Sequence, residues 1–415
     1  MNKKIWIINH YAGGMLFDCG GRHYNFAKYL KRAGYNPVVF ACNAIHGKAE
    51  TFFPDTSLWQ EHMAEEINVP FVYVRGRTYS GNGKQRVLNM TDFYRNVKKT
   101  AKEYAKLHGK PDVIYASSVH PLTLVAGIQL AKKFGVKCIC EVRDLWPESI
   151  VAYSSRLDKK NPVIRLLYQG EKWIYKKADS LVFTMEGAYD YIVDQGWEKE
   201  IPRSKVHYIN NGVDIPIFEE NCQRYTTDDE DLHNTDTFKV VYTGSIRHAN
   251  NLDMLLNIAK NITTKRTRFL IWGTGDQLPY LIQRVKEEKI ENVIFKGFID
   301  KKYVPYIISH ADLNIMDMQK KNDIFHYGIS PNKLFEYFAA QKPILMYQLW
   351  DYNPALEYQA GYVADTLKEL CDCIDTLSNG EIWGGRILPD HSHKAAQAFS
   401  YENLTNKLIE ILEIV

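Results

Sequence analysis

The chain has 415 residues, of which 45% are hydrophobic and 24% charged, and its formal net charge is +3. That length is too great for one ordinary core and suits two domains. The composition excludes a disordered tail, and so mild a charge gives no call for nucleic acid.

The first apolar run, Ile5 to Ile8 after Lys3 and Lys4, is too short for a secretion signal, and no run approaches a membrane span. The seven cysteines lack CxxC spacing; Cys138/Cys140 and Cys371/Cys373 are CxC in apolar runs and read as buried free thiols. A cytoplasmic location is expected. Strand-like runs lie at 4–10, 36–42, 70–76, 112–118, 137–144, 180–185 and 205–211, with helical patterns such as FYRNVKKTAKEYAKLHG (93–109) between several of them. This alternation predicts a parallel sheet with helices on both faces. Residues 216–236 are acidic and aperiodic, and a linker or surface excursion is expected there. Strands resume at 238–246, 268–275, 292–299, 311–318 and 342–348, and an amphipathic helix ends the chain. The predicted organisation is a Rossmann-like domain over 1–215, the linker, a second Rossmann-like domain over 237–395, and a terminal helix over 396–415.

In open parallel sheets, ligands sit at the carboxyl ends of strands, where loops feed helix N-termini. After the first strand, Gly13/Gly14 and Gly20/Gly21 precede the helical pattern RHYNFAKYL. Glycines there allow close backbone approach, and the helix start favours an anion. The run is not GxGxxG, so a dinucleotide fingerprint is absent, and an ordinary glycine turn explains it equally well. GNGKQR (81–86) fails as a phosphate loop: Thr78 stands where the first glycine belongs, and Gln85 replaces Ser/Thr. A mobile basic loop is expected instead. SSVHP (117–121) and EVRDLWPES (141–149) end two successive strands and bring His120, Arg143, Asp144 and Glu148 to one rim. Such a cluster serves as acid–base groups, as substrate ligands or as a salt-bridge network.

In the second half, Gly244 and Ser245 turn toward a helix with Arg247 beside them, where a guanidinium can fork onto a phosphate. Gly273 and Gly275 occupy a second glycine-rich strand end, and Phe298 follows a strand, either against a base or in the core. The densest signal is GISPNKLFEYFAAQKPIL (328–345). Ser330 suits a helix N-cap and Pro331 the first helical position, with the helix running to about Ala340. Leu334, Phe338 and Tyr337 then face the core. First-turn amides, the helix dipole and Lys333 favour a phosphate, and Glu336, one turn on, suits sugar hydroxyls. A capped helix with a Lys–Glu surface pair is the plainer alternative.

YTGSIRHANNLD, WGTGDQ, CEVRDLWPES, INNGVD and YGISPNKLFEYFAAQKPIL, in their spacing along the chain, resemble family-4 glycosyltransferases, and within them the WbuB-like enzymes of bacterial surface-polysaccharide synthesis. The resemblance implies the α/β GT-B fold: two Rossmann-like parallel-sheet domains facing a central cleft, with the C-terminal helix crossing back to the first. It implies that Gly20 and Gly21 approach a donor diphosphate. Arg247 and Lys333 hold it with the turns at Gly244–Ser245 and Ser330–Pro331–Asn332–Leu334. Glu336 binds the ribose, Gly273, Gly275 and Phe298 border the base, and His120 and Asp144 face the reacting sugar or acceptor. One position departs from the family's E-x7-E pattern: Gly328 stands where the first Glu belongs, which leaves the donor sugar open.

The expected reaction is retaining transfer from a nucleotide-sugar donor, expected to be UDP-linked, to a glycan or polyprenyl-linked acceptor in capsule or O-antigen synthesis. His120, Asp144, Arg247 and Lys333 are the expected catalytic groups, with charge on the departing diphosphate neutralised by protein groups and no cofactor or divalent metal. The basic, apolar stretch 156–180 fits either peripheral contact with an anionic membrane at the inner face or packing on the sheet. A sugar-nucleotide epimerase or hydrolase, an NAD-dependent oxidoreductase and a non-catalytic nucleotide-sugar binder are the competing readings.

Overall fold

The computed structural model describes residues 3–54, 57–81, 83–118, 120–154, 158–316, 323–347, 351–385, 387 and 389–415. The chain divides into two compact units, 1–210 with 401–415, and 211–400. In the first, the described strands are β1 (Lys4–Asn9), β2 (Asn36–Cys42), β3 (Trp59–Ala64), β4 (Val69–Val74), β5 (Val113–Ser117), β6 (Lys137–Val142), β7 (Ser180–Phe183) and β8 (Val206–Tyr208). They lie in the order β3-β4-β2-β1-β5-β6-β7-β8, parallel except for the edge strand β3. Strands covered on both faces need near-continuous apolar sequence, and β1 complies: Trp6, Ile7 and Ile8 are fully buried. Trp6 packs on Phe40 of β2, with ring centroids 5.0 Å apart.

The second unit holds β9 (Phe238–Thr243), β10 (Thr267–Trp272), β11 (Val293–Gly297), β12 (Leu313–Met316), β13 (Ile344–Tyr347) and β14 (Gly361–Ala364), ordered β11-β10-β9-β12-β13-β14 and parallel throughout. In both sheets the strand order reverses beside the first strand, at β1/β5 and at β9/β12. Crevices at such reversals are where open α/β sheets bind ligands.

Several expectations change. Residues 81–86 are no loop from Lys84 onward, because a helix spans Lys84–His108 with Gly83 as its extended N-cap. Met90, Phe93, Val97, Ala101 and Tyr104 recur every three or four residues and are buried, which holds the helix down. The acidic stretch 216–236 is not a free linker. Helices Ile215–Arg224 and Glu230–His233 occupy it, Phe218 is buried, and Lys296 of β11 pairs with Asp229 (2.7 Å) and Asp231 (2.6 Å). The segment belongs to the second unit, which begins at Asn211 rather than 237.

The terminal helix is two helices, Pro389–Ala398 in the second unit and Tyr401–Ile414 in the first. The break falls where Phe399 packs on Phe335 (5.0 Å between centroids) and its carbonyl accepts the Val213 N–H. Tyr401–Ile414 is fixed within the first unit by Tyr35, whose hydroxyl donates to Glu413 (2.5 Å), and by the Phe26–Tyr401 ring contact. The four CxC cysteines are buried and free.

Candidate functional site

Around Glu141, at the strand reversal of the first unit, buried polar groups satisfy one another. Glu141, near the end of β6, has no exposed surface. It accepts from Arg22 Nε (2.6 Å), the Tyr115 hydroxyl (2.5 Å) and Ser117 Oγ (2.5 Å), and it pairs with His23 Nε2 at 2.9 Å. Burial pushes its carboxyl upward, but Arg22, His23 and Arg143 together hold it well below the usual range. Arg22 also donates to the carbonyls of Asn210 (2.5 Å) and Ile209 (2.8 Å), so the first turn of helix Arg22–Arg32 is locked to the end of the unit. Gly21 is the N-cap of that helix at φ +93°, a conformation that favours glycine, and a Cβ there would press on Met15.

His120 and Asp144 come together at the same strand ends. They line one pocket of about 280 Å³, counted out to open solvent, with Leu124, Val142, Trp146 and Glu171. His120 Nε2 lies 2.8 Å from His10 Nδ1, across the β1/β5 reversal, while His120 Nδ1 is buried without a protein partner. Burial and the Arg86 guanidinium depress His120 to about 3, so the ring is neutral at physiological pH. Burial raises Asp144, and Arg143 and Arg86 oppose the shift. Of the other two residues expected at this rim, Arg143 has a buried Nε without a protein partner. Glu148 takes the Tyr168 hydroxyl (2.5 Å) and Lys159 (2.9 Å).

Reading the sequence missed three members of this rim. His10 directly follows β1 and was legible as a strand-end histidine. Arg86 was hidden by the loop expected at 81–86. Glu171 carried no motif: it sits in helix Pro162–Lys177, fully buried, accepting from the Tyr175 and Tyr191 hydroxyls (2.7 Å each), and burial raises it to about 8.

In the second unit the strand ends are built from backbone. The Gly244 N–H donates to the Trp272 carbonyl, Ile246 N–H to Thr274, and Gly273 N–H to Gly297. A Cβ at Gly273 would stand 1.8 Å from the Gly244 oxygen, and one at Gly275 2.0 Å from the Ile246 oxygen. These glycines therefore exist so that neighbouring loops can touch. Ser245 and Arg247 are exposed, and Phe298 is 71% exposed rather than packed in the core.

The helix expected from Pro331 spans Asn332–Ala339, with Pro331 as an extended N-cap. Ser330 does not cap it, because its hydroxyl accepts the Asn211 N–H (3.1 Å) and its carbonyl accepts Asn211 Nδ2 (2.8 Å). Leu334, Phe335, Tyr337 and Phe338 are fully buried. Eight residues make no stable helix alone; burial worth roughly 1.5–3 kcal/mol per large apolar side chain holds this one. The Leu334 N–H is spent on the Pro331 carbonyl (3.2 Å).

Lys333 stays at the helix start, its Nζ 4.4 Å from the Tyr242 ring centroid and 3.3 Å from that hydroxyl. A Cβ on Gly244 would meet the same Nζ at 3.2 Å. The ammonium thus overhangs the Gly244–Ser245 turn. Glu336, partly exposed, lies 3.8 Å from Lys301 Nζ. Gly328 has φ +99°, so the glutamate that the E-x7-E pattern calls for would be strained there. Among the described residues no group of three or more His, Cys, Asp or Glu side chains forms a metal site.

Comparison with known proteins agrees with this architecture. The model of Glycosyltransferase Family 4 matches residues 22–216, and that of Glycosyl transferases group 1 matches 237–379. A Bacillus subtilis protein named as a teichuronic acid biosynthesis glycosyltransferase, TuaH, is 27% identical over 209 residues, covering 50% of this chain and 49% of its own. The match thus spans about half the length of that curated relative. Sucrose-phosphate synthase from Thermosynechococcus elongatus superposes with TM-score 0.71 at 16% identity, over 99% of this chain and 98% of its own. Anabaena HepE in complex with UDP does so with TM-score 0.63 at 14% identity, over the full length of both chains. Likeness at such identities shows the fold, two Rossmann-like α/β domains of the GT-B class. With family models matched in both halves, the chain belongs to the family-4 glycosyltransferases.

Proposed function

We propose that the protein transfers a sugar from a UDP-linked donor to a glycan or polyprenyl-linked acceptor in bacterial surface-polysaccharide synthesis. The observation that carries this reading is the Lys333 ammonium overhanging the Gly244–Ser245 turn, at the start of a helix whose next turn bears Glu336. A cation beside a helix N-terminus forms a diphosphate cradle. Glu336, one turn on, suits the ribose hydroxyls, and the exposed ring of Phe298 suits the base. The HepE structure with UDP supports the choice of nucleotide.

In the reaction the bond from the anomeric carbon to the diphosphate oxygen breaks, and the acceptor oxygen bonds to that carbon. Retention follows if the acceptor enters on the face the diphosphate leaves, its proton passing to the departing phosphate oxygen. Lys333, Arg247 and the helix N-terminus stabilise the charge that develops on the leaving group, without a divalent metal. His120, neutral and with a buried unpartnered Nδ1, and Asp144 are the first-unit groups suited to sugar hydroxyls. The nearest competitor is an enzyme that turns over the donor with no acceptor.

Membrane contact is assigned to helix Pro162–Lys177. Val163, Leu166 and Trp173 are 64%, 71% and 41% exposed beside Arg165 and Lys177, an apolar face with basic flanks. Among the described residues no helix is long and apolar enough to cross a membrane.

Calorimetry with UDP, GDP and NAD in the presence of EDTA, on wild type and Glu336→Ala, tests the core of this proposal. Metal-free UDP binding that weakens about tenfold in the variant is expected for loss of charge-assisted ribose contacts. Preference for GDP would overturn the donor, and NAD binding indifferent to Glu336 would overturn the site.

A further inference from the structure

Lysine is a flexible donor with several rotatable bonds, and its ammonium stays over one spot only if something holds it. In the second unit that holder is Tyr242, a residue of β9 with 3% exposure that opens the YTGSIRHANNLD stretch but has no role assigned from the sequence alone. Its ring lies under Lys333 Nζ at 4.4 Å, within cation–π range, and its hydroxyl accepts from the same Nζ at 3.3 Å. That hydroxyl in turn donates to the Ser245 carbonyl at 2.9 Å. Asn250 Nδ2 donates to the same carbonyl and to Ser245 Oγ (2.9 Å). One buried phenol therefore links the lysine to the turn beneath it. We propose that Tyr242 is the positioning residue of the donor site, fixing Lys333 and the Gly244–Ser245 turn in register for a nucleoside diphosphate.

The inference rests on the reading of this turn as the diphosphate cradle. It differs from a packing role in what it predicts. A tyrosine that merely fills the core acts on every ligand of the unit alike. A tyrosine that positions the ammonium acts only on the phosphate-dependent part of binding. Gly244 fits the same picture, since a side chain there would meet both the Lys333 ammonium and the Tyr242 hydroxyl, at 3.2 and 3.4 Å.

The test is metal-free calorimetry with UDP and with uridine on wild type, Tyr242→Phe, Tyr242→Leu, Lys333→Ala and the Tyr242→Phe/Lys333→Ala double variant. Tyr242→Phe keeps the ring and the fold, so it remains informative if Tyr242→Leu does not fold. UDP binding is expected to weaken about threefold in Tyr242→Phe and about tenfold in Tyr242→Leu, with uridine unchanged. In the Lys333→Ala background Tyr242→Phe should cost clearly less than in the wild type, because one of the two groups it positions has gone. Equal loss for UDP and uridine, full additivity in the double variant, or unaltered UDP binding would overturn the role of Tyr242. Failure of the wild type to bind UDP would instead sink the donor-site reading on which it stands.

Discussion

The two units share a strand reversal beside their first strand and use their strand ends in opposite ways. In the first, the polar groups around Glu141 are buried and engaged with one another: Arg22, His23, Tyr115 and Ser117 all converge on it. In the second, glycine backbone does the packing, and Ser245, Arg247 and Phe298 are left exposed while Lys333 overhangs the turn. A rim whose charges are already neutralised is a rigid base. A rim whose charges are neutralised by nothing of comparable strength is ready for an anion. The same fold thus separates a structural use of buried charge from a binding use of half-exposed charge.

The sharpest way to break the comparison is Glu141→Ala. Removing the acceptor leaves Arg22 as a buried charge without its carboxylate, and such losses cost about 3–5 kcal/mol. Urea unfolding should show that loss, and Glu141→Gln, which keeps the shape, should show a smaller one. A change under about 1 kcal/mol in the alanine variant would mean the network is not the base of the first unit.

The corresponding variant in the second unit is Gly273→Ala. Its Cβ would collide with the Gly244 oxygen, and its φ of +153° already disfavours a side chain. Backbone cannot yield as a side-chain tip can, so a loss of about 2–3 kcal/mol in urea is expected. UDP binding should fall with it, since the Gly244 turn has to move. Unaltered stability together with unaltered binding would show that these loops touch less firmly than their geometry says.

Much of this contrast was legible in the sequence, but unevenly. β1, β9 and the buried face of Asn332–Ala339 follow directly from apolar runs and helical spacing, because burial on both sides of a sheet leaves little choice of residue. The Lys333–Glu336 pair was legible because both lie within one short helix. The partners that decide its meaning were not. Tyr242 is 91 positions away from Lys333 and Arg22 is 119 from Glu141, and spacing along the chain carries no signal for such contacts. Ser330 looked like an N-cap by local rules, and a contact with Asn211, 119 residues earlier, claimed its hydroxyl instead. The helix at Lys84 was obscured because glycines at 81 and 83 promised a loop, although only Gly83 abuts the helix, as its cap.

Glu171 sharpens the comparison through pH. Burial raises its carboxyl to about 8 from an ordinary value of 4.5, with the Tyr175 and Tyr191 hydroxyls and Lys159 opposing the rise and Glu148 adding to it. Below pH 4.5 both folded and unfolded chains hold the proton and no cost arises. Between 4.5 and 8 the unfolded chain releases it while the folded one retains it, so stability falls as pH rises and levels off above 8. The loss is on the order of 2–3 kcal/mol, since real sites relax around a buried charge. Urea unfolding from pH 5 to 9 should show this fall in the wild type relative to Glu171→Gln. Parallel curves for the two proteins would mean that Glu171 ionises normally and that the first unit tolerates a buried charge there.

The smallest expected effect comes from Lys301→Ala. Lys301 is three-quarters exposed and stands 3.8 Å from Glu336, so its attraction is weak and screened by salt. It nonetheless competes with a ribose for the same carboxylate. If Glu336 serves the donor, removing Lys301 frees it, and UDP affinity should rise slightly, by less than about threefold, and only at low salt. If Lys301 and Glu336 are a surface pair and nothing more, the affinity should stay flat from low to high ionic strength. A fall in affinity would point the other way, to Lys301 itself touching the nucleotide, and would move the boundary of the half-exposed charge in the second unit from the helix at Asn332 to the segment that follows β11.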